Sequence, residues 1–205
     1  MMSLGQIILA VPAILLAISV HEYGHAFVAY KLGDPTPKYQ GRLSLNPMAH
    51  LDPLGTIMLL LFRVGWARPV MINSHYFKNK RQGTIFVSLA GPAANLITAW
   101  IFYNIVGVFG HLMLRSAAGQ SLIMFFYVNV QVNLGLAAFN LIPIPPLDGS
   151  HILAGLLPSR LSYEYSKLAP YGPFVLIALL VLGGSRYLVN PIFDLLFKIL
   201  DRLSL

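Results

Sequence analysis

The chain has no cysteine. A disulfide framework and a thiolate metal site are therefore both excluded, and any metal must be held by His, Asp or Glu. Charge is scarce too. Only 10% of the 205 residues are Asp, Glu, Lys or Arg, against about 25% in soluble domains. With 57% hydrophobic residues, the expected fold is an all-α integral membrane protein, a polytopic helical bundle. The formal charge of +7 is better explained by basic loops facing an anionic leaflet than by nucleic acid. A basic n-region and an A-x-A cleavage pattern are both missing, so the N-terminus reads as a retained helix rather than a signal peptide. Repeats and low-complexity tracts are absent, and residues 1–205 read as one integral membrane domain.

Three long apolar segments are present, at about 4–30, 84–110 and 121–142. Each meets the length of about 20 residues needed to cross a bilayer. Shorter apolar stretches lie at 171–184 and 190–203 and would be half-spans or one broken span. "TIMLLLF" is too short to cross and reads as partial or re-entrant. Together these suggest about five to six membrane segments around a three-helix core. The loop 34–52 is rich in Pro, Gly and polar residues, and "KYQGRLSLN" within it reads as a short strand pair. A single amphipathic piece is expected over about 150–165, after Pro143, Pro145 and Pro146 have ended the third span.

What the chain does have is an unusual cluster. "HEYGH" places His21, Glu22 and His25 at the end of the first span. Two His at i and i+4 share a helix face, so both imidazoles can reach one metal ion. Glu22 can then approach a metal-bound water without ligating the metal. The spacing is the H-E-x-x-H signature of zinc hydrolases. Counted from Ile7, His21 lies roughly 21 Å along the helix, inside a hydrocarbon core about 30 Å thick. Charged groups at mid-membrane cost on the order of 2.5–3.5 kcal/mol each, and a metal in a wet cavity would offset that cost. The alternative is a helix that ends early and leaves the His pair solvated at the interface.

A catalytic zinc takes three protein ligands and keeps one position open. Among the remaining acids, Asp148 fits best. Lys31, Lys38, Arg42, Arg63, Arg68, Lys78, Lys80 and Arg81 crowd residues 31–81, whereas the connection 111–120 holds only Arg115. The positive-inside rule then puts the ends of spans one and three on the same, cytosolic side, which brings Asp148 to the side of His25. Its alternative role is a cap for the helix "GSHILAGLL". Asp34 and Asp52 read as turn residues, and His151 as outside the ligand set.

These pieces resemble the site-2 protease family of intramembrane zinc metalloproteases. The resemblance rests on "HEYGH" in the first span, "GWARPV" (65–70), "AGPAAN" (90–95) opening the second, and "NLIPIPPLDG" (140–149) closing the third. It implies Zn2+ held by His21, His25 and Asp148, Glu22 as general base, and substrates that are themselves single-span membrane proteins. It implies hydrolysis of peptide bonds within or near transmembrane helices, regulated intramembrane proteolysis, at a site facing the cytosol of a prokaryotic plasma membrane. Asn140, matching the first Asn of the third motif, either stabilises an oxyanion or orients substrate, or else bonds its own helix end. Asn95 either contacts substrate or bonds backbone across helices. The chain reads as a core-only form without PDZ or CBS domains. Loop 34–52 and segment 53–62 are candidates for a gate, with "KYQGRLSLN" clamping an unwound substrate by strand addition.

The competing class is a non-enzymatic metal transporter or scaffold in the membrane. A transporter needs ionisable residues along a whole pathway, and spans two and three have almost none. A scaffold that keeps the motif without activity is not distinguished by sequence.

Overall fold

The computed structural model describes residues 4–52, 54–55, 57–58 and 68–204. Helix α1 spans Leu4–Lys31, followed by a single-turn helix α2, Thr36–Tyr39. Two long helices come next, α3 at Lys80–Met113 and α4 at Ala117–Asn140. Then come α5 (Asp148–Leu156), α6 (Ser159–Ser166), α7 (Gly172–Val181) and α8 (Ser185–Arg202). Among the described residues, α1, α3 and α4 are the three helices long and apolar enough to cross a membrane. A bent pair, Ser159–Val181 with Arg186–Arg202 at 88°, makes a fourth crossing if counted as one. The protein is an all-α polytopic membrane protein. Most of segment 53–62, and Gly65, Trp66 and Ala67 of "GWARPV", lie outside the described residues.

Helix boundaries follow local caps that hydropathy alone does not register. The Asn79 side chain accepts from Gln82 N, so α3 starts at Lys80, before its apolar run. Ser116 accepts from Gly119 N and starts α4 at Ala117. Such caps satisfy backbone N–H groups that the first helical turn leaves unpaired. The expected amphipathic piece over 150–165 is two helices, because Pro158 separates α5 from α6 and cannot continue a helix.

The strand pair expected in 38–46 is not formed. Residues 36–39 are helical, with Pro37 in the first turn, where its missing N–H costs nothing. Gly41 then reverses the chain at φ +68°. Asn46 caps a turn of 3-10 helix over Pro47–Ala49. No strand is present among the described residues. The proline and glycine spacing overrides the apolar alternation of "RLSL". Strand addition on this segment is therefore withdrawn.

The core is a close three-helix packing. On α1 the buried residues recur every fourth position: Ala13, Ala17, His21, His25 and Ala29. On α3 the matching stripe is Gly83, Val87, Gly91, Asn95 and Ala99. Small side chains let membrane helices approach closely, where packing and hydrogen bonds rather than apolar burial drive association. At Gly24 the approach reaches its limit, since an added Cβ would lie 2.6 Å from the Ala90 carbonyl oxygen. Helix α8 lies against α3 and α4, with Leu196 and Leu200 joining Ala99, Val130 and Leu134 in one buried cluster.

Candidate metal centre

His21 and His25 project from α1 into the crossing with α3. Asp148, the first residue of α5, comes from the opposite side. The N-cap position is Leu147, so Asp148 is not the cap. Its carboxylate turns instead to the histidines, with Oδ2 3.1 Å from His21 Nε2 and 3.3 Å from His25 Nε2. The two Nε2 atoms are 3.0 Å apart. The sequence argument that placed the ends of α1 and α4 on one side is thus realised in contact distances.

Hydrogen-bond accounting explains what this triangle holds. His25 Nδ1 lies 2.7 Å from the Val87 carbonyl oxygen, which can only accept. The ring proton is therefore on Nδ1, and Nε2 carries a lone pair. His21 Nδ1 lies 2.7 Å from Asn95 Oδ1, also an acceptor. Asp148 Oδ2 is buried without a hydrogen-bond donor. With both rings neutral, two lone pairs and a carboxylate oxygen at 3.0–3.3 Å repel one another unless a proton or a metal ion lies among them. A tetrahedral zinc with donors at about 2.0–2.2 Å separates them by about 3.3–3.5 Å, close to the spacing found. The second nitrogen of each ring is already bonded to a fixed acceptor, as in known zinc sites. The residues present fit the metal.

Gly91 makes room for it. A Cβ there would lie 2.5 Å from His25 Nε2 and 2.7 Å from His21 Cε1. The helix-spanning motif 90–95 therefore supplies two parts of the site, a gap at Gly91 and an acceptor at Asn95.

A cavity of about 440 Å³ opens beside the triad, lined by Glu22, Val70, Asn140 and His151 among others. Glu22 Oε2 accepts from Val70 N at 3.0 Å. Residues 68–73 reach the cavity because they are tied down on both sides. Arg68 N donates to His50 O, and Asn73 N donates to Asp34 Oδ2. Arg42 is buried and donates to the carbonyls of Ala49 and Arg68. Burial, with Arg68 close by, lowers Arg42 from the ordinary guanidinium range. Asp34 is a turn residue as expected, bonding Thr36 N, but it also carries the tie to Asn73.

The structure brings His21, His25 and Asp148 together and sets Glu22 and Asn140 on the same cavity. Asn140 Nδ2 donates to Leu136 O one turn back in its own helix. Asn95 is fully buried and bonds His21, Ala17 O and Asn133, the cross-helix alternative to a substrate contact. Sequence reasoning missed Val70, whose contribution is a backbone N–H, and Asn133. The signal for Asn133 was present: Asn129, Asn133 and Asn140 recur at helical spacing along a largely apolar span.

The chain matches the model of Peptidase family M50 over residues 9–113 and 105–182. YwhC of Bacillus subtilis is 42% identical over 88% of this chain and 84% of its own length. Rip2 of Mycolicibacterium smegmatis is 33% identical over 96% of this chain and 74% of its own. MJ0392 of Methanocaldococcus jannaschii is 30% identical over 80% of this chain and 40% of its own. All three bear zinc metalloprotease names. No solved structure matches the chain significantly. A triad of zinc-type donors inside a membrane bundle, in a chain that matches this family's model across all three long spans, leads to one assignment: the protein belongs to Peptidase family M50, is a site-2-type zinc metalloprotease, and uses Zn2+ as its cofactor.

Proposed function

We propose that the protein hydrolyses peptide bonds within or near the transmembrane helices of single-span membrane proteins, by an H-E-x-x-H mechanism. The observation that carries this reading is the shared cavity. Glu22 and Asn140 line the same space as His21, His25 and Asp148, between helices long and apolar enough to cross a bilayer.

His21, His25 and Asp148 would hold the metal. When bound, zinc supplies Lewis acidity, making a water acidic enough to attack at neutral pH and polarising the scissile carbonyl. Glu22 takes the proton from the attacking water and passes it to the leaving amine. Its Oε2 is held by Val70 N, which aims the carboxylate and leaves Oε1 for that proton. One hydrogen of Asn140 Nδ2 is spent on Leu136 O. The second is available to the oxyanion that develops on the substrate carbonyl. The basic residues of 31–81 support a site opening to the cytosol of a prokaryotic plasma membrane, by the positive-inside rule. A substrate helix must unwind locally before its amide is exposed, and cutting in response to a signal, regulated intramembrane proteolysis, is the corresponding role.

The test compares wild type and Glu22→Gln for cleavage of a panel of single-span membrane peptides, with zinc content measured on both. The expected result is zinc in both and cleavage by wild type alone. Equal cleavage by both would remove Glu22 from the mechanism. Zinc in both without cleavage by either would favour a metal-binding scaffold.

A further inference from the structure

Three asparagines lie in the bundle interior with no exposed surface: Asn95 on α3, and Asn129 and Asn133 on α4. Burying an amide in an apolar core is costly unless its groups are paired, so the pairing here is informative. Asn133 Nδ2 lies 2.9 Å from the backbone oxygen of Asn129. A carbonyl only accepts, so the nitrogen end of this amide is fixed there and Oδ1 is turned toward α3. Asn133 Oδ1 is 2.8 Å from the Asn95 amide, whose facing atom must therefore be the donor Nδ2. The same Nδ2 donates to Ala17 O on α1 at 2.9 Å. Both of its hydrogens are used. Asn95 Oδ1 is left facing His21 Nδ1 at 2.7 Å, where it accepts.

We propose that Asn133 and Asn95 act as a relay of amides that fixes the tautomer of His21. Each bond determines the polarity of the next. The backbone of α4 orients Asn133, Asn133 orients Asn95, and Asn95 places the His21 proton on Nδ1. In the neutral ring His21 Nε2 is then a lone-pair donor aimed at the Asp148 side. With Asn95 turned over, its Oδ1 would face two acceptors, Ala17 O and Asn133 Oδ1, and its Nδ2 would favour the proton on His21 Nε2, where it blocks coordination. Both asparagines are positioning residues and touch neither metal nor substrate. The inference rests on the metal-site reading above only for the use of Nε2; the direction of the relay is a property of the protein alone.

Two measurements on the purified full chain in detergent micelles test it. The first is the tautomer of His21 in metal-free protein, read from 15N chemical shifts and assigned with His21→Gln. The relay requires the proton on Nδ1. The second is zinc affinity by chelator competition. Asn95→Leu is expected to weaken zinc by about 10- to 100-fold, the range for partners of metal-bound histidines. Asn133→Leu, one bond further out, is expected to lose about 3- to 10-fold on the same basis. In Asn133→Asp a neutral acid keeps an acceptor for Asn95 and an O–H for the Asn129 carbonyl, so affinity should return to within about twofold of wild type. A merely structural role would lower melting temperature in Asn133→Leu and leave zinc affinity and tautomer unchanged. That result, or a His21 proton on Nε2 in the wild type, overturns the relay. If Asn133→Leu does not fold, the wild-type tautomer and Asn133→Asp still decide. A wild type that binds no zinc but carries the proton on Nδ1 would sink the metal site and leave the relay standing.

Discussion

The crossing of α1, α3 and α4 and the C-terminal helix α7 are both apolar in composition but are built in different ways. In the crossing, many of the buried side chains are small or polar, among them Ala13, Ala17, Gly91, Asn95, Asn133 and the two histidines, beside a few larger ones such as Leu134. In α7 they are large and outward, with Phe174 71% and Val181 78% exposed. Lipid covers such residues without cost, since its tails are as apolar as they are. Helix α8 is intermediate. Its Leu196 and Leu200 are buried, while Tyr103 bonds Asp201 and Trp100 bonds the Leu203 carbonyl near its end. The difference teaches where to look for chemistry in a membrane bundle. Most buried polar atoms have a partner; among the described residues the exceptions are His50 Nδ1, Asn129 Oδ1 and one carboxylate oxygen, that of Asp148, which marks the centre.

That contrast can be broken most sharply at the triad. Asp148→Ala should abolish tight zinc binding and all cleavage, because two imidazoles alone do not complete the three-ligand set. Zinc content after dialysis reads the first effect and peptide cleavage the second. Gly91→Ala should follow. Its Cβ would meet His25 Nε2 at 2.5 Å, so zinc affinity should fall by about tenfold or more. An unchanged dissociation constant would show that the crossing yields more readily than its packing suggests.

Mutations in the C-terminal half should separate stability from the site. Leu200→Ala removes a side chain that is only 3% exposed and should cost about 2–5 kcal/mol of stability. Zinc affinity should stay within about twofold. Measuring melting temperature and zinc affinity on the same sample checks both. Tyr103→Phe loses the bond to Asp201 and should cost only about 1 kcal/mol. Phe174→Ala, on an exposed side chain, should change neither readout in micelles. If Leu200→Ala weakened zinc as much as Gly91→Ala does, the two regions would not be separable.

Much of the site was legible because its parts obey short-range rules. His21 and His25 share a face through helical spacing alone. Asp148 could be placed beside them because the span count and the basic loops bring the ends of α1 and α4 to one side. The strand expected in "KYQGRLSLN" failed for an equally local reason, since Pro37 in a helical first turn and Gly41 at positive φ leave no run to extend. Span ends were misjudged where Asn79 and Ser116 cap helices beyond their apolar runs.

The amino-acid sequence by itself determined the membrane class, the three long helices, the donor types available to a metal and the spacing of two of them. Those follow from composition and period, which each segment carries alone. Only the tertiary structure decided which atom of each donor faces the others, that Asn95 bonds His21, and that Val70 N holds Glu22. The bonds that settle these points join residues 48 to 78 positions apart, and a hydrogen bond's direction exists only once both partners are in place.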